Sequence, residues 1–133
     1  MGTLIDSSVL IAAGRGELDL DAHAAQTGDD DVAVAAITAS ELLHGVHRLK
    51  PGVKRARVQT LVEDLLDRVP VIPFDLDTAR VHAMIAADLR ARGTAVGAHD
   101  LLIAATAVQV GYTVATRDRR SFPKIRDLDV VYW

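Results

Sequence analysis

The feature that most restricts the fold is the alternation of short apolar runs with segments of helical periodicity. The apolar runs predict strands at residues 3–5, 32–37, 71–74, 113–115 and 130–133. Helical spacing predicts helices at residues 9–13, from 38 onward, and at 55–69, 77–92 and 98–110. Strands that alternate with helices form crossover units, so the sequence predicts an α/β fold with a mainly parallel sheet covered on both faces.

Length and composition restrict the class of protein. The 133 residues are 50% hydrophobic, enough for one core, and residues 1–133 are expected to form a single domain. The chain has no cysteine, which excludes disulfides and thiolate metal sites and fits a reducing cytoplasm. The longest apolar stretch, 101–115, is interrupted by Gln109 and Gly111 and is shorter than the ~20 residues of a membrane helix. A cytoplasmic protein with no membrane association is expected.

Four acidic residues stand near the ends of the predicted elements. Asp6 follows the first strand, Glu41 opens the helix after the second, and Asp118 stands three residues beyond Ala115. Parallel sheets place their sites beyond the carboxyl ends of the strands. Asp100 begins the helix that feeds the fourth strand. In an ordinary crossover its helix start would lie at the opposite edge, and the sequence alone leaves the placement of Asp100 open.

Each acid also has a purely structural explanation. Asp6 is a candidate N-cap, and aspartates such as Asp100 and Asp118 are common at helix starts and turns. Thr38 and Glu41 form the T-x-x-E pattern of a capping box, in which the glutamate reaches back to the cap N–H. Taken singly, the four acids leave both explanations open.

Taken together, the acids favour a cation site. Anions gathered in one cleft repel each other and lose hydration unless a cation neutralises them. Carboxylate oxygens select hard ions, so Mg²⁺ or Mn²⁺ is the expected occupant. Such a site can hold water for attack on phosphorus, which indicates phosphodiester hydrolysis.

The sequence contexts of the four acids resemble those of a known family. Asp6 lies in LIDSSVLI, Glu41 in TASELLHG, Asp100 in HDLLIAATA and Asp118 in TVATRDRRSF. This combination covers nearly the whole chain and resembles PIN-domain ribonucleases, specifically the VapC toxins of bacterial toxin–antitoxin pairs. The resemblance implies a three-layer α/β/α fold in which the acids converge, and a metal-dependent ribonuclease toxin. The implied partners are RNA, a cognate antitoxin that blocks the cleft, and a second copy in a homodimer.

The resemblance also implies a role for each site residue. The residues that would bind Mg²⁺ or Mn²⁺, directly or through water, are Asp6, Asp100 and Asp118. Glu41 would orient or activate the attacking water. Thr116 would hold a water or Asp118 with its hydroxyl, and Ser7 would support the ligands.

A basic segment surrounds Asp118. The chain has a net charge of −3, but residues 117–126 include five basic residues and one acid, a local charge of +4. Charge runs usually just face solvent. Next to a metal site, Arg117, Arg119 and Arg120 fit contacts to RNA phosphates, because single-strand binding relies on a positive track.

Histidines and aromatics are expected in structural positions. His44 and His47 follow Glu41 at three-residue steps, but a di-iron bundle needs a second Glu-x-x-His copy, so they are expected to face solvent or a partner. His23 and His82 are expected to have nothing around them. The aromatics expected in the core or at its edge are Tyr112, Phe122 and Trp133.

Two alternatives come from other functional classes. A receiver-type phosphoacceptor domain shares the small sheet and clustered acids, but it needs a lysine at the end of its last strand, and residues 130–133 have none. A catalytically idle PIN-like interaction module would bind a partner helix on the apolar helical hairpin, residues 42–69. Cleavage of RNA only with Mg²⁺ or Mn²⁺ distinguishes the nuclease from both.

Overall fold

The computed structural model of the chain describes residues 2–28 and 31–133. Its strands are β1 (Thr3–Ile5), β2 (Val32–Ala35), β3 (Val71–Ile72), β4 (Thr113–Thr116) and β5 (Val130–Tyr132). They form a sheet in the order β3-β2-β1-β4-β5, and every neighbouring pair in it is parallel. The predicted α/β fold with a parallel sheet is confirmed.

The helices match the predicted pattern with some shifted ends. They are α1 (Ser7–Gly14), α2 (Leu20–Gln26), α3 (Ala36–His47), α4 (Val53–Arg68), α5 (Leu76–Ala91) and α6 (Ala98–Val110). Ile37, predicted in a strand, lies in α3. The predicted third strand stops before Pro73, which has no N–H for the ladder. α2 is not predicted because Leu20 is its one large apolar residue; Asp19 caps this helix by accepting from the Ala22 N–H at 3.1 Å.

The sheet separates two apolar clusters. Leu4 and Val114, in register across β1 and β4, lie in the cluster that α5 and α6 cover. Ile5 lies in the other cluster, which α1 and α4 cover. The result is the expected three-layer α/β/α arrangement. As expected, the aromatics belong to these layers: Phe122 is fully buried, while Tyr112 and Trp133 are partly buried against the clusters.

α6 runs antiparallel to the strands. Gly111, with a φ of 74°, ends the helix, and two residues later the Thr113 N–H donates to the Gly2 carbonyl oxygen at 3.0 Å, beside the start of β1. The first turn of α6, which carries Asp100, therefore lies toward the carboxyl ends of β1 and β4. The placement at the opposite edge, which an ordinary crossover suggested, is wrong, because a helix that feeds a parallel strand ends where that strand begins.

Among residues 2–28 and 31–133, no helix combines the length and the apolar character that crossing a membrane requires.

Candidate active site

The ends of β1 and β4 place Asp6 and Thr116 side by side. The Asp6 N–H donates to the carbonyl oxygen of Ala115 at 2.9 Å. Because side chains alternate along a strand, Asp6 points to the same face of the sheet as Leu4. Thr116 points to this face as well, since it stands two residues after Val114. α6 covers the face, so the side chains of Asp6 and Thr116 point toward the helix that carries Asp100.

Asp6 is held by two hydroxyl groups. Its Oδ2 accepts hydrogen bonds from Ser8 at 2.7 Å and from Thr116 at 2.9 Å, and the residue is 3% exposed. The Ser8 and Thr116 hydroxyls lie 3.3 Å apart, but both protons are already donated to Asp6. Asp6 occupies the N-cap position of α1, as one explanation held, but its side chain makes no capping hydrogen bond to the helix. Within the described ranges no hydrogen bond uses its Oδ1, which stays available to a ligand.

Asp118 is tied to the same hydroxyl through its backbone. The Asp118 N–H donates to the Thr116 hydroxyl oxygen at 3.0 Å. Its carboxylate accepts from the Arg120 backbone N–H at 2.8 Å, as in a turn. The resemblance implied that the Thr116 hydroxyl holds a water or Asp118, and in the structure it holds Asp118 through the main-chain N–H.

Asp100 completes this side of the site from α6. It is the third residue of the helix and is half-buried. Burial raises the pKa of the Asp100 carboxyl above its usual range, although the nearby Ser121 hydroxyl lowers it. The negative charges of Asp6 and Asp118 raise the pKa of Asp100 further. The two strand-end acids therefore lie close enough to the helical acid to raise its pKa.

Glu41 approaches from α3. The helix begins at Ala36, so Glu41 lies in its second turn, and the capping box with Thr38 is wrong. The Ser7 hydroxyl donates to Glu41 Oε2 at 3.4 Å, and His99 Nδ1 lies 3.6 Å from the same oxygen. Oε1 is buried, with no hydrogen-bond partner among the described residues.

The charge state of Glu41 reflects the other acids. Burial raises the pKa of the Glu41 carboxyl, and the charge of His99 and its hydrogen bond lower it. The charges of Asp6 and Asp100 raise the pKa again. Glu41 thus lies close enough to Asp6 and Asp100 for their charges to affect its protonation.

The donor set fits a hydrated divalent cation. Within residues 2–28 and 31–133, no three His, Asp or Glu side chains are arranged to hold a metal ion by themselves. Mg²⁺, however, binds through one or two carboxylates and keeps several waters, so a closed cage is not required. A divalent ion would relieve three features of the site: an open Asp6 oxygen, a Glu41 oxygen without a partner among the described residues, and the pKa values of Glu41 and Asp100, which burial and nearby acids raise.

The three arginines around Asp118 have different partners. Arg117 Nη1 lies 3.8 Å from Glu17 Oε2. Arg120 Nε lies 3.5 Å from Asp118 Oδ1. The guanidinium carbon of Arg119 lies 4.0 Å from the centroid of the Tyr132 ring. The sequence predicted the basic segment but not these partners.

Several residues at or near the site were not predicted. Ser8, rather than Ser7, holds Asp6, and His99 pairs with Glu41. A signal existed for Ser8, since it stands two residues after Asp6 at the start of a helix. His44 and His47 are exposed, as expected. The expectation for His23 and His82 was wrong: His23 stacks on Trp133 with ring centroids 5.2 Å apart, and His82 meets Phe74 edge-on.

The fold is that of a known class. A family profile described as PIN domain matches residues 3–128, and the chain belongs to the PIN-domain family. Ribonuclease VapC of Rickettsia bellii is 34% identical over 131 residues, which cover 98% of this chain and 96% of that protein. Ribonuclease VapC1 of Rickettsia felis is 32% identical over 133 residues, with the same coverage. The resemblance to VapC ribonucleases is confirmed.

Solved structures agree with this assignment. VapBC-5 from Mycobacterium tuberculosis, a member of the VapBC family of toxin–antitoxin systems, is 30% identical with a TM-score of 0.77, covering 98% of this chain and 96% of that one. VapBC2 from Rickettsia felis, crystallised with a DNA fragment from its promoter, has a TM-score of 0.89 at 23% identity. It covers 100% of this chain and 99% of that chain, and supports the fold.

Proposed function

We propose that the chain is the toxin of a toxin–antitoxin pair and acts in the cytoplasm as a Mg²⁺- or Mn²⁺-dependent endoribonuclease. The observation that carries the proposal is the buried Asp6, held by two hydroxyls and electrostatically coupled to Asp100 and Glu41. The ribonuclease names of the relatives and the toxin–antitoxin structures support the same activity.

The ion would be held by the aspartates of the site. Asp6 offers its Oδ1, and Asp100 and Asp118 would contribute directly or through water. A bound divalent ion would supply positive charge that stabilises the negative charge developing on the phosphoryl oxygens and the departing oxygen. Thr116 and Ser8 keep Asp6 in place during the reaction by their hydrogen bonds.

Glu41 would accept the proton of the attacking water. A general base works best when its pKa lies near the operating pH, and burial raises the pKa of Glu41 in that direction. Ser7 and His99 both contact Oε2, which leaves Oε1 to receive a water. Arg117, Arg119 and Arg120 would bind phosphates of the RNA on the β5 side.

Cleavage tests this function directly. The purified chain should cleave single-stranded RNA with Mg²⁺ or Mn²⁺ and stop on addition of a chelator. Asp6→Asn and Asp100→Asn should abolish cleavage and growth inhibition while leaving the fold intact by circular dichroism. Asp77→Asn, the same change on an exposed residue of α5 paired with Arg80, is the matched control and should cut normally. Parental activity in Asp6→Asn would refute the assignment, and a chain that never cuts RNA would be an idle interaction module.

The antitoxin would cover the hairpin of α3 and α4 and enter the acidic cleft. This hairpin exposes Val53 at 86% and Leu61 at 60%, an apolar surface that a partner helix could bury. Leu61→Lys should weaken the complex in a titration with the antitoxin without changing RNA cleavage. An unchanged affinity would place the partner elsewhere.

A homodimer is the second proposed assembly. Phe74, Leu76 and Met84 are 42%, 64% and 73% exposed and provide apolar surface around the start of α5. Sedimentation should show a dimer that Met84→Lys shifts toward the monomer. A monomeric parental chain would refute this assembly.

A further inference from the structure

Arg119 rests on an aromatic ring at the edge of the sheet. Its guanidinium carbon lies 4.0 Å from the centroid of Tyr132, within the range of a cation–π contact. Tyr132 ends β5 and is in register with Thr116, so the two side chains lie on the same face of the sheet. Neighbouring strands are ~4.8 Å apart, which places the Arg119 and Tyr132 pair one strand away from the hydroxyl that holds Asp6.

Arg119 differs from its two neighbours in the availability of its charge. Arg117 faces the carboxylate of Glu17, and Arg120 faces that of Asp118. Within residues 2–28 and 31–133, no carboxylate pairs with Arg119. Stacking on a ring uses the face of the guanidinium and leaves its N–H donors, which lie in the plane, free for a bidentate contact. Of the three guanidinium groups, that of Arg119 is therefore the most available to a phosphate.

We propose that Tyr132 is a positioning residue for Arg119, which binds a backbone phosphate of single-stranded RNA on the β5 side of the cleavage site. The inference rests on the proposed ribonuclease function and names the contact that anchors its substrate. The ring restricts the rotamers of a long, flexible side chain before RNA arrives, so less conformational freedom is lost on binding. Because Arg119 covers one face of the ring, the pair acts as a phosphate anchor rather than as a platform for base stacking.

The test separates binding from cleavage. Each variant is made in the Asp100→Asn background and titrated with a fluorescein-labelled RNA oligonucleotide of mixed sequence at several salt concentrations. Arg119→Ala should weaken binding and lower the slope of log K against log salt by about 0.7, one phosphate contact on a single strand. Tyr132→Leu should weaken binding by about 2- to 5-fold with the slope unchanged, since the charge remains but its support is lost. Tyr132→Phe should bind RNA as tightly as the parental chain, because the phenylalanine ring also attracts the Arg119 guanidinium.

Two further variants fix the interpretation. Arg119→Lys keeps the charge but cannot stack as a planar group, so its RNA affinity should resemble that of Tyr132→Leu. It therefore tests the same point if Tyr132→Leu folds poorly. The double variant Arg119→Ala with Tyr132→Leu should bind as weakly as Arg119→Ala alone. Additive losses would show that Tyr132 contacts RNA by itself and overturn the inference, as would parental affinity in Tyr132→Leu. Arg80→Ala, a surface arginine paired with Asp77, is the control for loss of one charge.

The two proposals fail in different ways. If the parental chain cleaves RNA and Tyr132→Leu binds RNA with unaltered affinity, the role of Tyr132 is refuted and the ribonuclease function is not. Absence of cleavage by the parental chain with any divalent ion would refute the nuclease, whatever the binding data show.

Discussion

The Thr116 hydroxyl lies 2.9 Å from Oδ2 of Asp6 and joins the ends of two neighbouring parallel strands. The same hydroxyl oxygen accepts the Asp118 N–H at 3.0 Å. A single neutral group therefore sets the orientation of one acid and the backbone position of another. Since Thr116 is fully buried, water cannot readily replace either bond.

Replacing this hydroxyl should lower activity without unfolding the chain. Thr116→Val keeps the shape and the β-branched side chain but removes the donor to Asp6 and the acceptor for the Asp118 N–H. Residues that orient metal ligands typically contribute about 10- to 100-fold to metal affinity or activity. We expect a loss of that size in kcat/KM for RNA cleavage, partly recovered at high Mg²⁺ concentration.

The matched control is Thr106→Val. Thr106 is also buried, but its hydroxyl donates to the Leu102 carbonyl oxygen within α6 at 2.9 Å and serves only the helix. Cleavage by this variant should stay near the parental rate. Equal losses in Thr106→Val and Thr116→Val would mean that general stability, and not the support of Asp6, determines the effect.

Asp100 should reduce the stability of the metal-free chain at neutral pH. Its pKa is raised by burial and by the charges of Asp6 and Asp118, so the folded state prefers the protonated carboxyl. Below the pKa of ~4 that Asp100 has in the unfolded chain, the carboxyl is protonated in both states and the folded state bears no penalty. As pH rises through the higher pKa of the folded state, the carboxyl ionises at an unfavourable site and the free energy of unfolding falls. Asp100→Asn, which is neutral at every pH, should therefore raise Tm at pH 7.5 by roughly a few degrees.

A helix-dipole effect opposes this prediction. A negative charge in the first turn of α6 is favourable by about 0.3–1 kcal/mol at exposed sites. We expect burial and the charges of Asp6 and Asp118, which raise the pKa of Asp100, to outweigh that benefit. The gain in Tm should shrink as pH falls toward 4. A gain that stays constant with pH would point to packing instead of charge, and a lower Tm at pH 7.5 would contradict the prediction.

His99 should set the acid limb of the pH profile. Its charge and its hydrogen bond lower the pKa of Glu41 and oppose the effect of burial. If the ionised Glu41 accepts the proton of water, His99→Gln should raise the pKa of Glu41. The acid limb of the kcat/KM profile should then shift to higher pH. The measurement is a pH–rate profile for RNA cleavage, with the parental chain beside it.

His44 provides the control for His99. It is exposed on the same helix as Glu41 and one turn further along, so His44→Gln also removes an imidazole near α3. The acid limb should not move in that variant. An unmoved limb in His99→Gln would show that Glu41 does not control the profile.

The sequence predicted the part of the site that depends on topology. Asp6 and Asp118 follow apolar runs, and the ends of parallel strands meet at one edge of a sheet. Connectivity alone left the placement of Asp100 open; in the structure α6 ends beside the start of β4, so its first turn lies toward the carboxyl ends of the strands. The motif resemblance put it correctly among the converging acids.

The contacts between side chains could not be predicted in the same way. His99 meets Glu41 only because α6 packs against α3, and Tyr132 meets Arg119 only because β5 pairs with β4. Neither pair is close in sequence or marked by periodicity. The start of α3 was also misjudged, since the T-x-x-E pattern at Thr38 suggested a cap where the helix was already formed.

Thr38 itself provides a prediction about stability. It is fully buried in α3, and its hydroxyl has no hydrogen-bond partner in the described part of the chain. A buried polar group without a partner costs about 1–3 kcal/mol, and valine has nearly the same shape and the same branching at Cβ. We expect Thr38→Val to raise the free energy of unfolding by about 1 kcal/mol in a urea titration. Thr78→Val is the matched opposite: Thr78 is equally buried, but its hydroxyl donates to Asp75 Oδ1 at 2.9 Å, so the substitution should lower that free energy by about 1 kcal/mol. A loss of stability in both variants would show that the Thr38 hydroxyl is hydrogen-bonded in solution.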